Sequence, residues 1–210
     1  NQDNIHLLYK HALARGWISS NPMEGMKRPN VRLQQPRSMD LTGVKRLMSM
    51  DHSPRELAVL HLLVGHGWRQ HEVLEIKARD VHSMEEGWIW CHGKEREEFA
   101  PLLPETAVLL RSLATGLDYD RQVIGSLRGR EERFGSDGIR AMVKRLLAGA
   151  GLTGFTGHNL RDTFAALVER ASGDLTVSMA LIRDRVPGVA SRYVTRDLPA
   201  LLGRHSPLRQ

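Results

Sequence analysis

Cysteine is nearly missing from this chain: Cys91 is the only one in 210 residues. No internal disulfide can form, and such usage suits a reducing compartment. Aromatic residues make up 5% of the sequence, and just three of them are tyrosines: Tyr9, Tyr119 and Tyr193. No apolar run approaches the ~20 residues that a membrane-spanning helix needs. The opening residues do not spell the apolar stretch of a signal peptide, so a cytoplasmic protein is expected. No internal repeat is visible, which argues against a repeat architecture. Ten histidines invite a metal hypothesis. However, His61, His66 and His71 are five apart, which swings them around a helix instead of stacking them on one face. Neither a metal nor a cofactor is expected.

Charge is what the chain does have. Thirty Lys and Arg against 24 Asp and Glu give +6, with a pI near 9.9, and this balance fits a polyanionic partner. The excess sits at the two ends, +3 over residues 1 to 35 and +4 over residues 183 to 210, leaving the middle at −1. Solvated tails and phosphate-contacting arms both explain such ends. Between Asn21 and Arg37, Pro22, Gly25, Pro29 and Pro36 alternate with Lys27, Arg28 and Arg32, the composition of an extended basic linker.

Periodicity predicts a mainly helical α+β chain with a small antiparallel sheet. Helices are expected over Asn4 to Arg15, ended by Gly16; Leu41 to Met50, capped by Asp40; Pro54 to Gly65, started by Ser53; and Gln70 to Lys77. Trp88 to Cys91 and Glu98 to Leu102 read as strands around a polar tip, with a weaker third strand near Asp80 to Ser83. Further helices are expected from Pro104 to about Ala114, from a Ser136-Asp137 cap through Ala150, and over Asn159 to Arg170, Thr176 to Arg185 and Gly188 to Thr195. A short tail helix is expected over Asp197 to Leu202, and Thr115 to Gly135 reads as loop. The helix after Ser136 carries Arg140, Lys144 and Arg145 on its polar side, a solvated face or a DNA-facing one.

One ordered set of side chains carries chemistry. Arg69 lies in His66-Gly67-Trp68-Arg69-Gln70-His71-Glu72, and Lys94 follows 25 positions later. His158 opens an H-x-x-R ending at Arg161, and Tyr193 lies 35 positions beyond that histidine. Two arginines can each offer paired donors to phosphate oxygens, which a lysine cannot match. A tyrosine near them is a candidate nucleophile, although at its ordinary pKa near 10 it needs cations and a proton acceptor to be activated. Together, and with Arg69 to Glu72 as an R-x-x-E box, these spacings resemble the tyrosine recombinase (phage integrase) family over roughly residues 37 to 200.

That resemblance implies three parts. Residues 1–20 would be the last helix of a core-binding domain, 21–37 a strap across the duplex, and 38–210 the catalytic domain with its tail. A full-length relative would carry further helices before Asn1. It also implies a reaction without metal or ATP, in which Tyr193 attacks a phosphate of double-stranded DNA and leaves a 3′-phosphotyrosine and a free 5′-hydroxyl. Arg69 and Arg161 would stabilise the phosphorane, Lys94 would act as general acid and His158 would accept a proton or donate a hydrogen bond to a phosphate oxygen, while Glu72 would orient basic groups. Four protomers on two sites, acting on nucleoid DNA, complete the expectation, with the end after Asp197 docking on a neighbour. The pattern breaks nine residues before the tyrosine, where the family has histidine or tryptophan and this chain has Asp184. Asp184 could hold an arginine while Arg183 or Arg185 supplies the missing donor. Asp162 also stands where a histidine is frequent. A type IB topoisomerase or a catalytically silent DNA-binding protein of the same fold would share much of this pattern.

Overall fold

The structure is a computed structural model that describes residues 2–26, 37–93, 97–125, 134–184 and 197–210. The chain divides into two compact units, Asn1–Gln35 and Pro36–Gln210. The first unit is built on α1 (Gln2–Ala14), which ends as Gly16 turns to φ +70° and Trp17 N–H returns to the Ala12 carbonyl at 3.0 Å. Leu7, Leu8 and Trp17 stay exposed on this unit.

The second unit is mainly helical with one small antiparallel sheet. Asp40 caps α2 (Leu41–Met48) by accepting from Gly43 N–H at 2.8 Å. Ser53 and Glu56 form a reciprocal capping box at the start of α3 (Pro54–Leu60), with Pro54 in the first turn where its missing N–H costs nothing. The expected helix through Gly65 does continue, but it widens into a π turn over His61–Gly65. The His61 carbonyl there takes the Nδ1 proton of the His66 ring at 2.8 Å, while His66 Nε2 accepts from Leu103 N–H at 3.0 Å. Burial pushes this ring's pKa down to about 3, so His66 is a neutral bridge between backbones. His61 is likewise taken up by Thr106, at 3.0 Å.

Next come α4 (Gln70–Glu75) and α5 (Ala78–His82). The latter replaces the third strand expected near Asp80 to Ser83. Asp80 sits three positions into a helix and accepts from Lys77 N–H at 2.9 Å, which stabilises a helical start where alternation alone suggested a strand. Among the described residues the sheet therefore has two strands, β1 (Trp88–His92) and β2 (Glu97–Pro101), paired from Trp88 with Pro101 to His92 with Glu97. The α6 helix (Pro104–Ala114) follows. The segment after it is less free than a loop reading implied: Val123 and Ile124 are buried, and Val123 N–H bonds to the Ile76 carbonyl at 2.9 Å.

The amphipathic α7 (Ser136–Gly149) buries Ile139, Val143, Leu146 and Leu147 as its stripe predicts. Its cap is Gly135, however, not Ser136-Asp137; Asp137 lies inside the first turn and pairs with Arg140 at 3.2 Å. The α8 helix (Gly157–Ser172) begins two residues earlier than expected, because Thr156 and Asn159 form a second capping box. It is shared by two apolar cores: Leu160 and Leu167 face the larger one, and Phe164 and Val168 face a smaller one with Leu103, Leu181 and Leu202. α9 (Leu175–Leu181) stops four residues short of the expected Arg185.

The last helix, α10 (Leu198–His205), runs past Leu202 and buries Leu198 and Leu202. Beyond it, Ser206 Oγ donates to the Gly65 carbonyl at 2.7 Å, and Arg209 pairs with Glu105 at 2.7 Å. The tail expected to dock on a neighbour is thus packed on its own domain. No described helix is long and apolar enough to cross a membrane.

Candidate active site

Arg69 is the residue immediately before α4. Its own N–H donates to Glu72 Oε2 at 2.8 Å, and its side chain donates to Glu72 Oε1 at 3.0 Å, so the R-x-x-E spacing is a helix cap that also aims a guanidinium. Arg161 comes from the first turns of α8, 92 positions later. It is 5% exposed, donating from Nη1 to the Gly67 carbonyl at 2.5 Å and from Nη2 to the Ile182 carbonyl at 2.8 Å. Burial lowers the Arg161 pKa, and the nearby Arg69 charge adds to that, although a guanidinium stays protonated at any ordinary pH. At Arg69, burial acts in the same direction but is outweighed by Glu72 and Asp184, so its pKa is raised.

The two guanidiniums meet on one oxygen. Asp184 Oδ1 accepts from Arg69 Nη2 at 2.6 Å and from Arg161 Nη2 at 3.0 Å. The end of α9 sets this geometry. Arg183 N–H returns to the Ala180 carbonyl and Asp184 N–H to the Met179 carbonyl, each at 3.0 Å, which is a Schellman turn with arginine in the left-handed position that glycine favours. Arg183 has φ +58°, a conformation that costs about 1–3 kcal/mol for a residue with a Cβ. Its side chain offsets that cost: it lies 4.9 Å above the Trp68 ring and ion-pairs with the buried Glu72 carboxylate. Arg183 is therefore buried beneath the site and does not supply a donor on its open side. Burial pushes the Glu72 carboxyl up, but Arg183 and the Arg69 donors prevail and hold it below its ordinary value.

A cavity of about 240 Å³ opens beside this pair, lined among others by Arg69, Arg161, His158 and Arg140. His158 is 78% exposed, with Nε2 3.7 Å from Asp162. Asp162, one turn further along α8, thus faces the histidine. Arg140 and Lys144 also border a neighbouring, mostly apolar cavity of about 630 Å³ that reaches His158. Arg145 does not join them. It turns away to ion-pair with Glu56 at the start of α3, so the three cations of α7 divide into two groups. Lys94, Arg185 and Tyr193, together with Lys27, Arg28 and Arg32, lie outside the described residues.

Sequence reading missed the backbone half of the site. The Gly67 and Ile182 carbonyls fix Arg161, and Trp68 carries Arg183. The one signal in the sequence was the glycine at position 67; in the structure it has φ +67°, and an added Cβ there would lie 2.5 Å from Phe164 Cδ1. Among the described residues no group of three His, Cys, Asp or Glu side chains could hold a metal ion.

Known proteins agree with the fold. The chain is 27% identical over 186 residues to tyrosine recombinase XerC of Yersinia pestis, covering 81% of this chain and 58% of that protein. It is 29% identical over 177 residues to XerC of Escherichia coli O127:H6, covering 75% and 55%. It thus spans less than two thirds of the length of these curated relatives. Among solved structures, the integrase from mycobacterium phage Brujita superposes with a TM-score of 0.64 at 22% identity, over 100% of this chain and 71% of that one. A lambda integrase dimer bound to a COC′ core site gives 0.65 at 17% identity, over 88% and 70%. At that identity the likeness speaks for the fold alone. The model of the phage integrase family matches residues 37–194, most of the chain, and with the fold and the paired arginines it shows that the chain belongs to the phage integrase family.

Proposed function

We propose that this protein is a site-specific DNA recombinase that cuts and rejoins double-stranded DNA through a 3′-phosphotyrosine on Tyr193. The observation that carries the reading is the convergence of Arg69 and Arg161, 92 positions apart, on a single anionic oxygen at 2.6 and 3.0 Å beside an open cavity. Two fixed guanidiniums around one oxygen match the charge that builds on a phosphodiester under in-line attack, and they require no reorganisation as it builds. The phenolic oxygen of Tyr193 bonds to phosphorus, and the bond to the leaving 5′-oxygen breaks. That oxygen takes a proton, which Lys94 is placed in the sequence to give. His158, at the mouth of the same cavity, holds a non-bridging oxygen or takes the tyrosine proton. A 5′-hydroxyl of a partner strand then reverses the step, so the bond energy is kept in the phosphotyrosine.

Glu72 is a positioning residue that orients Arg69. Arg140 and Lys144 would continue the phosphate contacts along the duplex, with Lys27, Arg28 and Arg32 doing so from the linker, and residues 1–20 would be the last helix of a core-binding domain. Assembly as a tetramer across two sites on nucleoid DNA follows from the same reading, since two strand exchanges need four tyrosines.

One observation favours a silent DNA-binding protein: Asp184 puts a carboxylate where the family has a hydrogen-bond donor. A nicked suicide duplex separates the two readings. The expected result is a covalent protein–DNA adduct that survives denaturation, is unaffected by EDTA and disappears in Tyr193→Phe. Binding without any adduct would leave the silent reading standing.

A further inference from the structure

We propose that Asp184 is a resident anion that keeps the place of the scissile phosphate, so that DNA must displace its carboxylate before the two arginines can act. This rests on the recombinase reading for what the displacing phosphate does, and on the geometry alone for the displacement itself. The contact has the form of a phosphate contact, one anionic oxygen shared by an Nη of Arg69 and an Nη of Arg161. Its exposure runs the right way for the buried arginine: the Asp184 side chain is 43% exposed and Arg161 only 5%, so solvent reaches the carboxylate's place more readily than Arg161, while Arg69 is itself 38% exposed.

The arginines do not depend on Asp184 for their positions. Arg161 is fixed by the Gly67 and Ile182 carbonyls, and Arg69 by Glu72. If the carboxylate leaves, both guanidiniums stay where they are, and the cluster gains one positive charge facing the cavity. A group that merely held the arginines would be redundant here. A group that competes for them would look as Asp184 does.

Binding of a short random-sequence duplex, read by fluorescence anisotropy across a salt series, tests this with wild type, Asp184→Asn, Arg69→Gln and the double variant. Asparagine keeps the shape and removes the charge. The expected result is tighter binding by on the order of tenfold at low salt, because a charge-assisted competitor has been removed. Most of that gain should vanish in the Arg69→Gln background. Unchanged or weaker binding by Asp184→Asn would overturn the proposal, since a positioning role predicts loss. If asparagine lowers the melting temperature, Asp184→Ala decides by the same criterion. Adduct formation on a pool of nicked random-sequence duplexes is scored separately. Adduct from wild type with no affinity gain in Asp184→Asn keeps the recombinase reading and sinks this one. An affinity gain with no adduct from any variant keeps the resident anion and sinks the recombinase reading.

Discussion

Glu72 shows how much one side chain in this site has to do. It caps α4, aims Arg69 and neutralises Arg183, all while 2% exposed. Removing its charge leaves the Arg183 guanidinium, itself 4% exposed, without its main counter-ion. Glu72→Gln should therefore destabilise the fold by about 3 kcal/mol in urea unfolding at neutral pH. The pH dependence follows from the lowered carboxyl. A group whose folded pKa lies below its unfolded one contributes fully above the unfolded value of ~4.3 and loses that contribution as pH falls through the folded value. Wild type should thus lose its advantage over Glu72→Gln only in that acid range, and an advantage that shrank between pH 8 and 6 would contradict this assignment.

At the scale of elements, the site depends on where helices end. Arg69 precedes α4, Arg161 lies near the start of α8 and Asp184 closes the turn after α9. Gly67 joins these ends. Its carbonyl holds Arg161, its φ is +67°, and a Cβ would lie 2.5 Å from Phe164 and 2.8 Å from Ile182. Gly67→Ala should cost about 2–4 kcal/mol through strain and overpacking, and it should also lower any strand-cleavage rate, because the anchor of Arg161 shifts. Gly157→Ala is the control. Its Cβ would lie nearest the flexible Gln70 side chain, 1.9 Å from Nε2, 2.5 Å from Cδ and 3.1 Å from Cγ, and that side chain can swing aside. A change within about 1 kcal/mol is expected there by thermal melting. Equal losses in both variants would show that backbone position at Gly67 is not what matters.

For the molecule as a whole, the question is which of its many cations face DNA. Arg140 and Lys144 border the cavities that meet His158, whereas Arg145 is tied to Glu56. Alanine at Arg140 or Lys144 should weaken duplex binding to a similar degree on every sequence, and should reduce the slope of log affinity against log salt by about 1 each. Arg145→Ala should leave that slope nearly unchanged. A larger effect from Arg145 would move the DNA to the other side of α7.

Much of the architecture was legible in the residues because it rests on local physics. A capping Asp40 marked α2, Ser53-Pro54 with an apolar stripe marked α3, an apolar stripe alone marked α7, and paired β-formers marked the hairpin. The fixed intervals among Arg69, Lys94, His158, Arg161 and Tyr193 pointed to the family that the comparison over residues 37–194 establishes. The misreadings had two origins, a local helix cap taken for a strand and a distant contact that overrode a local preference. Asp80 prefers a helix cap to a strand, and α9 ends early because Glu72 and Trp68 stabilise a left-handed arginine. The sequence by itself determined which groups are present and which helices carry them, since propensity and spacing are properties of neighbours along the chain. Only the tertiary structure decided that Asp184 faces both arginines, that Arg183 is buried and that Arg145 turns away, because each depends on residues some 90 to 115 positions apart meeting in space.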